Sequence, residues 1–365
     1  MTWDHPRGFD PVVAASRQYE AQTGVSITWD KRSLQAFADA PIEKLAADYD
    51  FIVLDHPHVG KIADTGALLP LGTELDEASS IGGSAQSYFW KGQCWAFAID
   101  AACQMAAYRH DLAPPLPKTW EAFLAPDAAK FHALTPLLPV DAFDMFMTLV
   151  AGRGEENIAT KPDYFVSDIN GNYALEVLRA LYNLGPDAQV DMNPIAVLEA
   201  LTTSDDFAFS PCLFGYVNYA RPGFRDKPVA YFDLPLCDGH PNPRGILGGA
   251  GIGVSAKTRH ADAAKAFAKW VTSEPVQSGV YLENNGQPAN RHTWIAQARN
   301  PNVAGFFQGG FHTMDQAWTR PRDIWFLDFV DDVCDIFPSF FRKKIPAETF
   351  LNRLNTLYLH HQKGA

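Results

Sequence analysis

The chain has 365 residues, 47% of them hydrophobic, and carries a formal net charge of −12. That length exceeds what one hydrophobic core usually serves, so two lobes are expected. An acidic chain without any run of lysine or arginine is not built to neutralise phosphates, which excludes nucleic acid as the expected partner, and no stretch reaches the ~18 apolar residues of a membrane span.

Along the chain, Thr2-Trp3-Asp4-His5-Pro6-Arg7-Gly8 reads as an apolar strand that breaks off in Asp-His-Pro. The same design returns in Phe51-Ile52-Val53-Leu54-Asp55-His56-Pro57-His58, and between them Val25 to Arg32 ends in a similar polar tip. Asp10-Pro11 reads as an N-cap followed by proline at the first helical position, with a helix over Val12 to Gln22 and Gly24 as its left-handed stop. A second helix is expected over Pro41 to Asp48. The unalternating run Phe51 to Leu54 fits a strand covered on both faces. Together these predict a right-handed βαβαβ unit of an α/β fold. Ligands of open α/β sheets lie outside the carboxyl ends of the strands, so the tips are the expected crevice, with proline holding them extended.

Met1 is followed at once by the first strand, which leaves no room for a secretory signal; either a mature or a cytoplasmic chain is expected. Cys94, Cys103, Cys212, Cys237 and Cys334 are odd in number and form no C-x-x-C pair, so they read as small buried residues. Bridges between Cys94 and Cys103 or Cys212 and Cys237 stay open.

Farther on come Ile62 to Leu71, Lys91-Gly92-Gln93-Cys94-Trp95-Ala96-Phe97-Ala98-Ile99-Asp100, Tyr108 to Leu112 and the proline-rich Pro114 to Phe123. A later block runs Gly248 to Lys257, Ala261 to Thr272, Ser273 to Gln277 and Gly286 to Arg291. In order and spacing these segments resemble the family 1 extracellular solute-binding proteins of ABC importers, the group that contains maltose-binding protein. The resemblance implies a two-lobed periplasmic-binding-protein fold of type II, with crossing strands near Ala98 to Ala102, Gly248 to Gly253 and Thr319 to Ile324. The first lobe would take residues 1–100 and 252–318, and the second 101–251 and 319–365. It further implies a monomeric periplasmic or cell-envelope protein that captures a sugar or sugar derivative by hinge closure and delivers it to membrane permease subunits. The residues themselves predict a covering helix with Ala264, Phe267, Ala268 and Val271 on one face, and a C-terminal helix with Phe350, Leu351, Leu354, Leu357 and Tyr358 inward.

Several constellations bear on the ligand. Gly251-Ile252-Gly253-Val254-Ser255-Ala256 satisfies G-x-G-x-x-A, yet Ile252 and Val254 fall inside the pattern and the helix begins only near Ala261, so no dinucleotide and no cofactor is expected. The glycines of this stretch, Gly248 and Gly249 included, instead permit close approach at a hinge or beside a ligand. His5, His56 and His58 are candidates for hydrogen bonding as neutral rings; zinc ligation and simple capping are the alternatives. Tyr216 and Tyr219, with Asn218 between them, offer flat faces and hydroxyls suited to a polyol, while tyrosine pairs ligate ferric iron in some related proteins. Arg7 and Arg32 can fork around a carboxylate or pair with acids such as Asp30. Asp100 at the first crossing can accept ligand hydroxyls, and Trp95 and Trp325, which flank crossings, are stacking candidates ahead of Trp3 and Trp29.

Metal or organic-anion binding is thus one alternative to sugar binding, and a cytoplasmic ligand sensor is another. An enzyme is the third, although G-x-S-x-G, H-E-x-x-H and P-loop signatures are all missing.

Overall fold

A computed structural model describes residues 1–33, 42–112, 114–303 and 305–364. β1 (Thr2–Trp3) runs parallel to β2 (Lys31–Arg32), with α1 (Pro6–Thr23) as the crossover between them. Backbone bonds from Met1 N to Phe51 O (3.0 Å) and from Val53 N to Met1 O (3.1 Å) place β3 (Phe51–Leu54) beside β1. The short helix α2 (Ile42–Asp48) precedes β3, and Pro41, expected to open it, lies outside the described residues.

Three local expectations need correction. α1 starts at Pro6 rather than after Asp10, because His5 takes the cap: its Nδ1 accepts from Arg7 N at 3.0 Å and Pro6 occupies the first helical position. Pro11 therefore falls inside the helix, where it removes the helical donor to the Arg7 carbonyl. The second Asp-His-Pro tip is not extended either. Asp55 accepts from His56 N at 2.7 Å, and His56–His58 forms a 3₁₀ turn that runs into α3 (Val59–Thr65). Both Asp-His-Pro segments are helix starts, and between them only Lys31–Arg32 of the expected strand Val25 to Arg32 pairs.

β4 (Phe89–Trp90) and β5 (Gln93–Cys94) form a small hairpin. The spine of the molecule is the strand β6 (Phe97–Tyr108). Its far half pairs with β7 (Phe209–Phe214) and β8 (Ala230–Phe232), and its near half with β9 (Leu247–Val254), which in turn pairs antiparallel with β3. The two segments expected to cross between lobes, Ala98 to Ala102 and Gly248 to Gly253, are thus hydrogen-bonded to each other. The register shifts between Ala98 and Asp100, a bulge that turns the strand beside its one charged residue.

Helices cover this sheet. α4 (Pro139–Gly152) is buried on almost every side and packs with α5 (Asp168–Leu184), α8 (Phe326–Cys334) and α9 (Ala347–Gly364) around Phe143, Phe146, Phe329 and Phe350. α6 (Pro194–Thr203) lies in a second cluster in which Val197 and Leu201 pack with Leu213, Tyr231, Trp294 and Phe306. α7 (Ala261–Val271) buries Ala264, Phe267, Ala268 and Val271, the stripe read from the sequence, against Phe51 and Tyr19. α9 likewise buries Phe350, Leu351, Leu354 and Tyr358. All five cysteines are free thiols, so neither bridge left open by the sequence is formed.

Gly249 has φ +102°, and a β-carbon there would meet the Asp100 carbonyl oxygen at 2.4 Å. Gly249→Ala therefore forces apart the β6 and β9 backbones, and should lower stability by about 1–3 kcal/mol, the usual cost of overpacking. Thermal unfolding checks this; a wild-type midpoint would mean that the two strands separate freely at this point.

Candidate functional site

A cavity of about 430 Å³ opens over the β6/β9 pair, within the range of small-molecule sites. Its floor is Gly248, Gly249 and Ala250 of β9 with Ala102 of β6. The absence of side chains there is what makes room: a β-carbon on Gly248 would sit 2.7 Å from the Phe214 ring. Apolar walls come from Trp3, Leu138, Val140, Phe214 and Tyr216, and the polar lining from two arginines, Arg7 and Arg320, and five aspartates. A larger cavity of about 520 Å³ is lined by Met1, Asp30 and Phe51, but receives no residue from 101–251.

Arg7 projects from the first turn of α1 and is 3% exposed. Its Nε and Nη2 donate to the two carboxylate oxygens of Asp100 at 2.8 and 2.5 Å, and Nη1 donates to Gly215 O at 3.0 Å. The guanidinium also lies 4.5 Å from the centre of the Tyr216 ring. Burial works against its charge, but the Asp100 carboxylate and its hydrogen bonds outweigh that and hold Arg7 above its ordinary range. Gln287 closes the same corner, donating to Ala101 O (2.7 Å) and Gly215 O (3.2 Å) and accepting from Val217 N (2.9 Å).

Arg320, from the segment expected as the third crossing, spans the other side. Nη2 donates to Asp55 Oδ2 at 2.6 Å, and Nη1 lies 3.5 Å from Asp144 Oδ2 on α4. Burial alone would raise the Asp55 carboxyl, but the Arg320 guanidinium outweighs it and keeps Asp55 below the usual carboxylate range. Asp144, with the longer contact, is pushed up to about 6 by burial that Arg320 only partly offsets.

Of the residues singled out from the sequence, the cavity gathers Arg7, Asp100, Tyr216, Gly248 and Gly249. The Arg7 fork grips Asp100, a pairing with an acid of the kind that the sequence left open beside a ligand carboxylate. His5 caps α1 and meets Tyr216 edge to face at 4.9 Å, and burial lowers its pKa to about 4, so it is neutral. His56 is neutral for the same reason, its Nδ1 lying 3.0 Å from Asp55 Oδ1 without hydrogen-bond geometry. His58 borders a smaller neighbouring cavity of about 210 Å³. The three imidazoles do not form a cluster, and among the described residues no group of three His, Cys, Asp or Glu is placed to hold a metal ion.

Tyr219 directs its hydroxyl to Glu199 at 2.6 Å and does not line the cavity. Asp30 accepts from Tyr49, and Arg32 lies over the Tyr49 ring, at the far edge of β2. Trp95 donates to Trp90 O, and Trp325 is packed among Phe326, Phe329 and Tyr358; neither reaches the cavity. Trp3, ranked behind Trp95 and Trp325 from the sequence, does line it while 4% exposed. Sequence reasoning also passed over Arg320, Asp141 and Asp144. A signal for the aspartates existed, since Pro139 to Gly152 is apolar except for Asp141, Asp144 and Thr148.

A family model described as bacterial extracellular solute-binding protein matches residues 14–290. Among solved structures, the GacH receptor of Streptomyces glaucescens, studied unliganded and with acarbose and an acarbose homolog, is similar at TM-score 0.78 and 17% identity, with 100% of this chain and 97% of that chain covered. Maltose-bound T. maritima MalE3 gives 0.75 at 16% identity, covering 95% of each chain. A cyclo/maltodextrin-binding protein complexed with maltotetraose gives 0.73 at 14% identity, covering 98% of this chain and 95% of that one. The architecture is therefore the two-lobed α/β fold of these receptors, and with the family model spanning most of its length the chain belongs to the bacterial extracellular solute-binding proteins.

Proposed function

We propose that the protein is the substrate-binding component of an ABC importer, that it captures a carbohydrate in the 430 Å³ cavity, and that it catalyses no reaction. The observation that carries this is the composition of the cavity, which joins Trp3, Arg7 and Asp55 from the start of the chain to Asn193, Phe214 and Tyr216 from its middle. Flat apolar faces beside carboxylates suit a molecule with apolar ring faces and many hydroxyls. The similar structures solved with maltose, maltotetraose and acarbose support the same ligand class. Both guanidiniums in the lining are already engaged by aspartates, which removes the footing for an organic anion.

In this reading the lobes are residues 1–100 with 252–318 and 101–251 with 319–365, hinged at the β6/β9 pair, and the ligand stabilises the closed form by touching both. A monomer at the cell envelope would present that closed form to the permease subunits. Arg7 and Asp100 then hold the hinge side of the cavity, Tyr216 and Phe214 supply ring faces, and the floor glycines set its depth. His5 supports the site through the Arg7 backbone. His56 does so through Asp55.

Two outcomes test this. Saturation with a maltooligosaccharide series should raise the melting temperature, by about 2.7 kcal/mol of stabilisation at one hundred times the dissociation constant, and should reduce the radius of gyration in solution scattering. A protein that binds without compaction would count against hinge closure, and one that no carbohydrate stabilises would count against the ligand class. Separately, Phe214→Ala should weaken carbohydrate binding by about 1 kcal/mol through a lost ring face, whereas Arg7→Ala should cost about 3–5 kcal/mol of stability by leaving Asp100 buried without its partner. Calorimetry and thermal melts on the same two variants separate these roles.

A further inference from the structure

Taking the cavity as the ligand site, as proposed above, we infer that its occupant carries an ammonium group, as in an amino sugar or aminocyclitol, seated against Asp141 and Asp144. The two aspartates stand one turn apart on α4, are 6% and 5% exposed, and both line the cavity. Asp141 makes neither a hydrogen bond nor an ion pair among the described residues. The cation nearest to the pair is Arg320, which holds Asp55 at 2.6 Å and reaches Asp144 only at 3.5 Å. Arg7 is committed to Asp100.

The remaining groups on the walls facing the pair are Asp331 and Cys334 of α8, which add no positive charge. Burial and the neighbouring Asp144 push the Asp141 carboxyl well above the usual carboxylate range. A buried carboxylate is costly unless a cation accompanies it, and a neutral hydroxyl donates a hydrogen bond without supplying charge. An ammonium group supplies both. Trp3 and Phe214 line the same cavity, and aromatic faces add to the attraction for a cation while covering the apolar side of a ring.

The test is calorimetry on the full chain at pH 7 with glucosamine, its disaccharide and deoxystreptamine, each compared with its N-acetylated form, and with maltose as the neutral reference. Hydrogen bonds to charged groups exceed neutral ones by enough that at least one amine should bind about tenfold more tightly than its acetylated form. Asp141→Asn should lower amine affinity about tenfold more than it lowers maltose affinity, and should melt at or above the wild-type temperature because a costly buried carboxyl is gone. Asp144→Asn, read in the same way, covers the case in which the first variant folds poorly. Equal affinity for amine and acetylated probes, or equal losses for amine and maltose in Asp141→Asn, overturns the inference while leaving the carbohydrate reading intact. Failure of every probe, maltose included, overturns both.

Discussion

The bidentate pair between Arg7 and Asp100 is the contact on which the site is built. It fastens the first turn of α1 to the middle of β6, and through Nη1 it reaches the Gly215 carbonyl at the end of β7. Three separate parts of the chain are thereby held at one guanidinium. Isolated, either charge would be too costly to bury; together, with three N–H groups of the guanidinium bonded, they hold position. The bulge between Ala98 and Asp100 is what brings the carboxylate to the arginine, so the irregularity in the strand and the ion pair explain each other.

Behind that pair the backbone does the shaping. β9 reads Leu247-Gly248-Gly249-Ala250-Gly251, a stretch with almost no side chains, and β6 opposes it with Ala98, Ala101 and Ala102. Small residues weaken a strand in isolation, yet here both strands are buried between helices and neighbours, so close backbone approach replaces side-chain packing. The void left above them is the cavity. Phe214 fills the space over Gly248, and Tyr216 is fixed under the Arg7 guanidinium. The aromatic walls are therefore positioned by the same contacts that hold the floor.

Much of this was legible in the sequence because it depends on local chemistry. The helix face through Ala264, Phe267 and Val271 and the C-terminal helix follow from periodicity, and the strand Phe51 to Leu54 from an unbroken apolar run; the structure buries each of them. The start of α1 was misplaced because two X-Pro signals compete, and the side-chain cap that decides between His5-Pro6 and Asp10-Pro11 comes from a histidine, His5 Nδ1 accepting from Arg7 N, which is not among the usual capping residues. Asp141, Asp144 and Arg320 escaped for a different reason. Their significance lies in a juxtaposition of segments some 180 residues apart, which no local pattern encodes, although two acids in an otherwise apolar helix mark a place where burial has to be compensated. Trp3 ranked low because its strand setting suggested packing, yet a strand tryptophan can pack with one face and line a cavity with the other.

The two arginines in the lining differ in what they permit. Arg7 makes its shortest contacts with Asp100, in the middle of the β6/β9 strand pair that floors the cavity. Arg320 instead joins Asp55, at the tip of β3, to Asp144, on α4, with a tight contact to one and a loose contact to the other. A change of about 1 Å in the separation of those walls is enough to turn a 3.5 Å contact into a hydrogen bond or to lose it. A positively charged ligand group placed near Asp144 competes with Arg320 for that carboxylate and releases the guanidinium to Asp55. If the walls move as proposed, an occupant that supplies a cation beside Asp144 would have different affinities for the two separations, which is the condition for binding to move an equilibrium between them.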